Sequence, residues 1–172
     1  MTDPSAEEIR SQLGLVLHPT CGYVAETYRS TERIAAGGLP KPFAEGRPLG
    51  SALTFLVAPD APVRLHRIRN DQLYHFQLGD PLEVLLLHED GSHGEVVVGP
   101  NLAAGQVLHL TIRGGTFHTA RLAVGGAWFL GASTEWPGVE PTDVELGEVE
   151  LLAARFPAVA DRLRSFQSPP PG

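Results

Sequence analysis

The sequence predicts a single all-β domain, a barrel or sandwich of short strands, with a short N-terminal helix and helices near the C-terminus. Its 172 residues include 19 glycines and 15 prolines, which mark many turns, and 42% are hydrophobic, enough for a sizeable core. Candidate strands also recur at intervals of roughly 8–12 residues. The expected organisation is a barrel with its short helix over 1–147, a helical appendage over 148–166 and a disordered tail over 167–172.

The helices are predicted from capping residues and from one proline. Residues 5–13 form the first helix, since Ser5 can cap its start and Gly14 can end it. Residues 148–166 have helical composition and spacing. Pro157 divides them into two short helices, because proline disrupts the helix before it.

Nine strands are expected between these helices, each bounded by turn residues. They cover residues 23–30, 51–57, 63–68, 72–78, 82–88, 94–98, 106–112, 116–124 and 127–134. The segment 31–48 is rich in glycine and proline and is expected to be a long loop. Because long loops in a compact domain are often functional, it is either a lid over a pocket or a surface excursion.

Charge and composition exclude several classes of protein. The net charge of −7 argues against nucleic-acid binding through phosphates and against docking on anionic membranes. No apolar run approaches the ~20 residues that span a bilayer. Residues 1–14 are polar and lack the apolar core of a signal peptide, so a cytoplasmic location is expected. With Cys21 as the single cysteine, neither an intrachain disulfide nor a cysteine-rich zinc site can form.

Two short motifs resemble those of the cupin superfamily. Its first motif has a His, a second His two residues on, a Glu four later and then a Gly. These positions here hold His66, Ile68, Gln72 and Gly79. The spacing matches throughout, but the second His and the Glu are replaced.

The second cupin motif has a Pro, a Gly and a His, which correspond to Arg113, Gly115 and His118. Three longer segments resemble the small RmlC-like cupins of the cupin type 5 family, a family of unknown function. They are LGLVLHPTCGYVAETYRS, HRIRNDQLYHFQLGDPL and PGVEPTDVELGEVELLAARFP. The chain is therefore identified as a divergent member. The resemblance implies a jelly-roll β-barrel with a small-molecule pocket, and often a homodimer paired along an exposed sheet edge.

The resemblance also implies a metal site. In metal-binding cupins, histidines and one carboxylate converge on a divalent ion. By this correspondence His66, Gln72 and His118 would converge, and they could hold iron, manganese, nickel or zinc. Because the amide of Gln72 is neutral and Ile68 replaces a ligand, the alternative is a metal-free pocket in which these groups hydrogen-bond a ligand.

Tyr74 and His75 follow Gln72 on the same predicted strand and are further candidates. Tyr74 shares its parity, so it could line the pocket as a hydrogen-bond donor or acid, or simply fill the barrel. His75 is a weaker ligand-binding candidate, because its parity is opposite and only a bulge would turn it inward.

Charged residues form a further group of ligand-binding candidates. Glu26 and Arg29 differ by three positions, which predicts opposite faces of a regular strand. Arg29 could bind a carboxylate or phosphate, or anchor the 31–48 loop through a salt bridge. Arg113 is expected near the barrel mouth, and Arg64 shares the parity of His66, so both are candidates for an anionic ligand.

The expected function is that of a small-molecule-binding cupin. It could be an isomerase, epimerase or lyase acting on a small polar, sugar-like or carboxylated metabolite, with His66 or His118 as base and Tyr74 as acid. One alternative is a non-catalytic module that binds or senses a ligand, and another is a metal-dependent oxygenase. Cys21 is expected to be a small buried residue, since no base is evident beside it.

Overall fold

The computed structural model describes residues 4–167, which form three α-helices and thirteen strands. The helices are α1 (Ala6–Leu13), α2 (Val149–Arg155) and α3 (Ala160–Gln167). The strands are β1 (Val16–Leu17), β2 (Tyr23–Arg29), β3 (Arg33–Ile34), β4 (Arg47–Pro48), β5 (Ser51–Val57), β6 (Val63–Ile68), β7 (Asp71–Gly79), β8 (Leu82–Leu87), β9 (His93–Val98), β10 (His109–Ile112), β11 (Phe117–Leu122), β12 (Phe129–Trp136) and β13 (Val144–Leu146). Gln167 ends α3, and the rest of the predicted tail lies outside the described residues.

Two antiparallel sheets face each other across the core. One has the strand order β1-β2-β5-β12-β7-β10 and the other the order β13-β6-β11-β8-β9, while β3 pairs with β4 alone. Isolated bridges join the sheets on both sides, from Cys21 to Val63 and from Val98 to Val107. The predicted all-β jelly roll with short terminal helices is therefore confirmed.

The core lies between the sheets, because alternate residues of each strand point inward. Phe55, Tyr74 and Phe129 are at most 1% exposed, and the ring of Phe55 lies 4.9 and 5.5 Å from the other two. On the outer faces, Ile9 of α1 packs on the six-stranded sheet, and Leu163 of α3 packs on the five-stranded sheet. Both outer surfaces thus gain apolar cover from the helices.

Two bulges decide which side chains face inward. On β6, Val63 and His66 are three positions apart, whereas their partners on β11, Ala120 and His118, are two apart. The extra residue on β6 allows both Val63 and His66 to point into the core. On β2, the register shifts after Glu26, so this residue and Arg29 come to the same face although they differ by three. At these two places, the alternation of side chains along a regular strand does not predict which residues point inward.

The predicted start and end of α1 are confirmed, whereas α3 extends to Gln167, one residue beyond its predicted end. The Ser5 hydroxyl accepts the Glu8 N–H, the Glu8 carboxylate accepts the Ser5 N–H, and Gly14 ends α1 in the left-handed region at φ 64°.

The segment 31–48 is not wholly irregular, since β3 and β4 pair within it. None of the helices within the described part of the chain is long and apolar enough to cross a bilayer.

Candidate functional site

A cavity of about 550 Å³ opens between the two sheets. Apolar residues line much of it: Pro19, Val24, Ala52, Leu53, Phe55, Ile68, Val139, Pro141, Val144 and Leu146. Its polar lining comprises His18, Thr20, Cys21, Glu26, Arg29, Ser51, His66, Gln72, Tyr74, Ser133 and Glu135. Such a mixture is typical of a small-molecule site, in which apolar walls surround a few polar groups.

Strand register places polar side chains in two adjacent rows on the six-stranded sheet. Ser51, Glu135 and Gln72 are cross-strand neighbours on β5, β12 and β7. Ser133 and Tyr74 are neighbours in the next inward-facing row. Because each residue has inward parity and cross-strand side chains lie about 5 Å apart, the five groups converge on one patch.

The two motif histidines lie opposite each other on the five-stranded sheet. His66 and His118 are cross-strand partners on β6 and β11, with ring centroids 4.2 Å apart and at most 1% exposure. His66 lines the cavity, but His118 lies behind it, within 3.5 Å of the Gln72 amide and 3.1 Å of the Tyr74 hydroxyl. The four residues predicted from the motif strands are thus adjacent, and three of them reach the cavity.

Backbone carbonyls fix the tautomers of both imidazoles. Nδ1 of His66 lies 2.7 Å from the Arg64 carbonyl oxygen, and Nδ1 of His118 lies 3.4 Å from that of Thr116. Because a carbonyl oxygen can only accept, each Nδ1 carries the hydrogen and each Nε2 is a hydrogen-bond acceptor. The Tyr74 hydroxyl donates to Nε2 of His118, so its proton points away from the cavity.

Burial keeps this cluster neutral. It lowers the pKa of His66 to about 4 and the pKa of His118 well below its usual value. Burial also raises the pKa of Tyr74 well above its usual value and the pKa of the Cys21 thiol to about 11. The Cys21 Sγ lies 3.8 Å from Nε2 of His66, so an imidazole does stand beside this thiol. At neutral pH, His66 offers the cavity an uncharged acceptor that is a weak base.

Glu135 is an acidic group of the cavity that is not among the residues predicted for the site. Its side chain is buried, and its Oε1 and Oε2 accept hydrogen bonds from Ser133 Oγ at 2.5 Å and Ser51 Oγ at 2.6 Å. Burial raises the pKa of Glu135, although both serines and the charge of Arg29 act in the opposite direction. The cavity therefore contains a carboxylate at a position outside the two cupin motifs.

The sequence contains a signal that could have identified Glu135. The last strand is predicted to end at Thr134, whereas β12 continues to Trp136. Extending its alternation by one residue places Glu135 on the same face as Ser133.

Glu26 and Arg29 form an ion pair at the cavity mouth. Glu26 Oε2 accepts from Arg29 Nε at 3.0 Å and from Nη2 at 2.6 Å. Arg29 Nη1 donates to the Val139 carbonyl at 3.1 Å and lies 3.8 Å from a carboxylate oxygen of Glu140. The prediction that Glu26 and Arg29 face opposite sides is wrong, because the bulge on β2 brings them together. Residues 31–48 lie outside the cavity lining, which favours a surface excursion over a lid.

Three predicted ligand-binding residues lie outside the cavity. His75 faces the outer side of the sheet, as its parity predicts, and its Nε2 lies 2.9 Å from Thr134 Oγ1. Arg64 does not follow the direction of His66, because the bulge on β6 turns it to the exposed surface. The Arg113 side chain is 76% exposed and forms a salt bridge with Asp71 at 2.7 Å.

The donor set does not fit the divalent ion that the resemblance implies. In the part of the chain that the structure describes, no three His, Cys, Asp or Glu side chains are placed to hold one ion. Nε2 of His118 is taken by the Tyr74 hydroxyl, and Gln72 offers only a neutral amide. Iron, manganese, nickel or zinc at His66, Gln72 and His118 therefore stays a prediction from the resemblance alone.

Comparisons with known proteins agree with this architecture. The family model described as Cupin superfamily (DUF985) matches residues 7–147. A hypothetical protein from Leishmania major is 25% identical, with a TM-score of 0.83 over 95% of this chain and 98% of that one. A Shewanella oneidensis protein is 23% identical, with a TM-score of 0.82 over 97% and 99% of the two chains, and shows the shared fold alone. No curated protein sequence matches the chain.

Proposed function

The chain belongs to the DUF985 family of the cupin superfamily, and from that premise we propose that its cavity binds a small molecule with an apolar body and hydrogen-bond donors. The observation that carries this proposal is the position of His66. Its Nδ1 is held by a backbone carbonyl, so its Nε2 is an acceptor at the cavity wall, and the Cys21 thiol 3.8 Å away is only a weak donor to it. A fixed acceptor among apolar side chains orients a ligand that donates to it.

Electrostatics favour some of the expected ligand classes over others. A carboxylated ligand would need a free cation, but Arg29 is already paired with Glu26 and lies close to Glu140. A sugar-like ligand would need more polar walls than the apolar residues provide. Binding without chemistry is the simplest function that this cavity supports, because its buried imidazoles are weak bases at neutral pH.

A second candidate, an isomerase, epimerase or lyase, is favoured by one observation. Burial raises the pKa of Glu135, which lines the cavity, and a raised pKa makes a carboxylate a stronger base. In that case Glu135 takes the role of base that the sequence predicted for His66 or His118. Tyr74 is less suited to donate to a ligand, because its hydroxyl donates to His118.

The binding proposal predicts a specific effect of replacing His66. In an NMR titration with benzyl alcohol, the wild-type protein is expected to bind, and His66→Phe is expected to weaken binding about fivefold, as for the loss of one neutral hydrogen bond. The matched control is His75→Phe, which makes the same change on the opposite side of the sheet. No binding by the wild-type protein, or equal losses in the two variants, would contradict the proposal.

The oxygenase alternative makes a separate prediction about metal content. It requires about one iron per chain, whereas the donor set here leads us to expect far less than one equivalent of any transition metal. Elemental analysis of protein purified without chelators measures this directly. A stoichiometric metal that His66→Phe removes would favour the oxygenase and overturn our assignment.

The homodimer implied by the family resemblance stays a prediction. It is supported by the position of β1 at an edge of the six-stranded sheet, where Val16 and Leu17 are 66% and 69% exposed. Exposed edge strands with apolar side chains are natural pairing surfaces. The particle mass in solution tests it.

A further inference from the structure

We propose that the ligand carries a protonated amine, which binds to Glu135, attached to an apolar body that occupies the rest of the cavity. This inference rests on the proposed binding function, since it names the chemical class of the ligand for the same site. It assigns Glu135 as the residue that selects this class. The supporting observations are the contacts of Glu135, the charges around it and the walls of the cavity.

The contacts of Glu135 leave it without a cation of its own. Its two oxygens each accept one serine hydroxyl, from Ser133 and from Ser51. Among the described residues, no Lys, Arg or His side chain forms a salt bridge with it. A buried carboxylate without a counter-ion costs free energy that two hydroxyl donors only partly offset. An ammonium group from a ligand would supply the missing charge and further donors.

The serines also hold the carboxylate in one orientation. Ser51 Oγ accepts the Val139 N–H at 3.1 Å while it donates to Glu135. Ser133 Oγ lies on the other side, 3.5 Å from the Gln72 amide oxygen. Because both serines donate to Glu135 and the Ser51 hydroxyl is itself held by the Val139 N–H, the carboxylate is pre-organised for a ligand rather than free to turn toward solvent.

The other titratable groups at the cavity supply no free positive charge. Arg29 is the one arginine or lysine in the described lining. Its charge lowers the pKa of Glu135, but it forms no salt bridge with that residue and is paired with Glu26 and close to Glu140. Burial lowers the pKa values of His18 and His66, so both rings favour their neutral forms.

The groups behind and beside these rings are neutral too. Burial lowers the pKa of His118 and raises the pKa of the Cys21 thiol, so neither adds a charge at neutral pH. Glu135 therefore provides the inner cavity with its negative potential, and this potential favours cations and disfavours anions.

The remaining walls determine the rest of the ligand. Phe55, Leu53 and Val24 line the cavity from the six-stranded sheet, and Val144 and Leu146 line it from β13. Their apolar side chains would bury a hydrocarbon or aromatic group, which is favourable in proportion to the area removed from water. An amine on an apolar body satisfies both regions at once.

Three probes of matched shape test this inference: benzylamine, benzyl alcohol and sodium benzoate, titrated separately by NMR at neutral pH. We expect the wild-type protein to bind benzylamine about tenfold more tightly than benzyl alcohol and benzoate least, because a charge-assisted hydrogen bond is stronger than a neutral one. Glu135→Gln is expected to abolish the preference for the amine. The matched control Glu145→Gln, at an exposed pair with Arg67, is expected to retain it.

The comparison of probes on the wild-type protein decides the inference even if Glu135→Gln does not fold. Benzyl alcohol or benzoate binding as tightly as benzylamine would overturn the amine assignment and leave the binding function intact. A preference for the amine that survives Glu135→Gln would overturn the role of Glu135. Binding of none of the probes would overturn both the inference and the function on which it rests.

Discussion

Replacing Arg47 with methionine is expected to lower the free energy of unfolding by about 3–5 kcal/mol, the cost of leaving a buried charge without its partner. Arg47 Nη2 lies 3.0 Å from Asp143 Oδ1, and the two side chains are 4% and 0% exposed. Asp143 also accepts the Glu140 N–H at 2.9 Å, which fixes the turn before β13. This turn carries Pro141 at the cavity wall, so loss of the pair is expected to loosen that wall as well.

Chemical denaturation of three variants checks this prediction. Arg47→Met combined with Asp143→Asn is expected to recover much of the loss, because the double change leaves no buried charge and keeps an acceptor for the backbone. Arg33→Met is the matched control: the Arg33 side chain is 53% exposed and lies 3.5 Å from Glu140, so its removal should cost under about 1 kcal/mol. Equal losses from Arg47→Met and Arg33→Met would contradict the buried pair.

The fold could be predicted from the sequence because the residue patterns that determine its strands and turns are local. The strands Ser51–Val57 and Val63–Ile68 have the predicted bounds, since alternating apolar residues and turn residues act within a few positions. The strand at Val144–Leu146 was not predicted. It is only three residues long and exists because it pairs with β6, a partner far away in the sequence.

The candidate site could be predicted from the sequence only in part. His66 and His118 were expected together from motif spacing, and their cross-strand pairing brings them together. The predicted side-chain directions of Arg64 and Arg29 were wrong because a bulge adds one residue to each strand. One extra residue moves the side chains that follow it to the opposite face of the sheet. Such bulges depend on register with another strand, which a single sequence does not reveal.

Contacts between residues that are distant in sequence could not be predicted either. Cys21 was expected to have no base beside it, yet its bridge to Val63 brings it near His66. Glu135 gains its significance from Ser51, a residue 84 positions away. The chemistry of the cavity therefore depends on contacts between strands that are distant in sequence.

Acidification is expected to destabilise the protein through His66, by about 2 kcal/mol between about pH 7.5 and pH 5. The pKa of this imidazole is about 4 in the folded protein, lowered by burial, against an ordinary value of 6.5. In this range the unfolded chain binds a proton that the folded chain does not, so unfolding becomes more favourable as the pH falls. The contribution of neutral His66 to the free energy of unfolding is fully present above pH 6.5 and is lost progressively as the pH falls toward 4. His118 acts in the same direction.

The difference between two variants isolates this effect from other titrating groups. Glu135 opposes it, because its raised pKa makes the folded protein bind a proton more readily as the pH falls. Denaturation curves at several pH values should therefore show a weaker pH dependence in His66→Phe than in the wild-type protein. In His93→Phe, which removes an exposed histidine of β9, they should keep the wild-type dependence. If His66→Phe retained the full wild-type dependence, the ring could not be held neutral by burial, and its lone pair would not be available as the acceptor on which ligand binding depends.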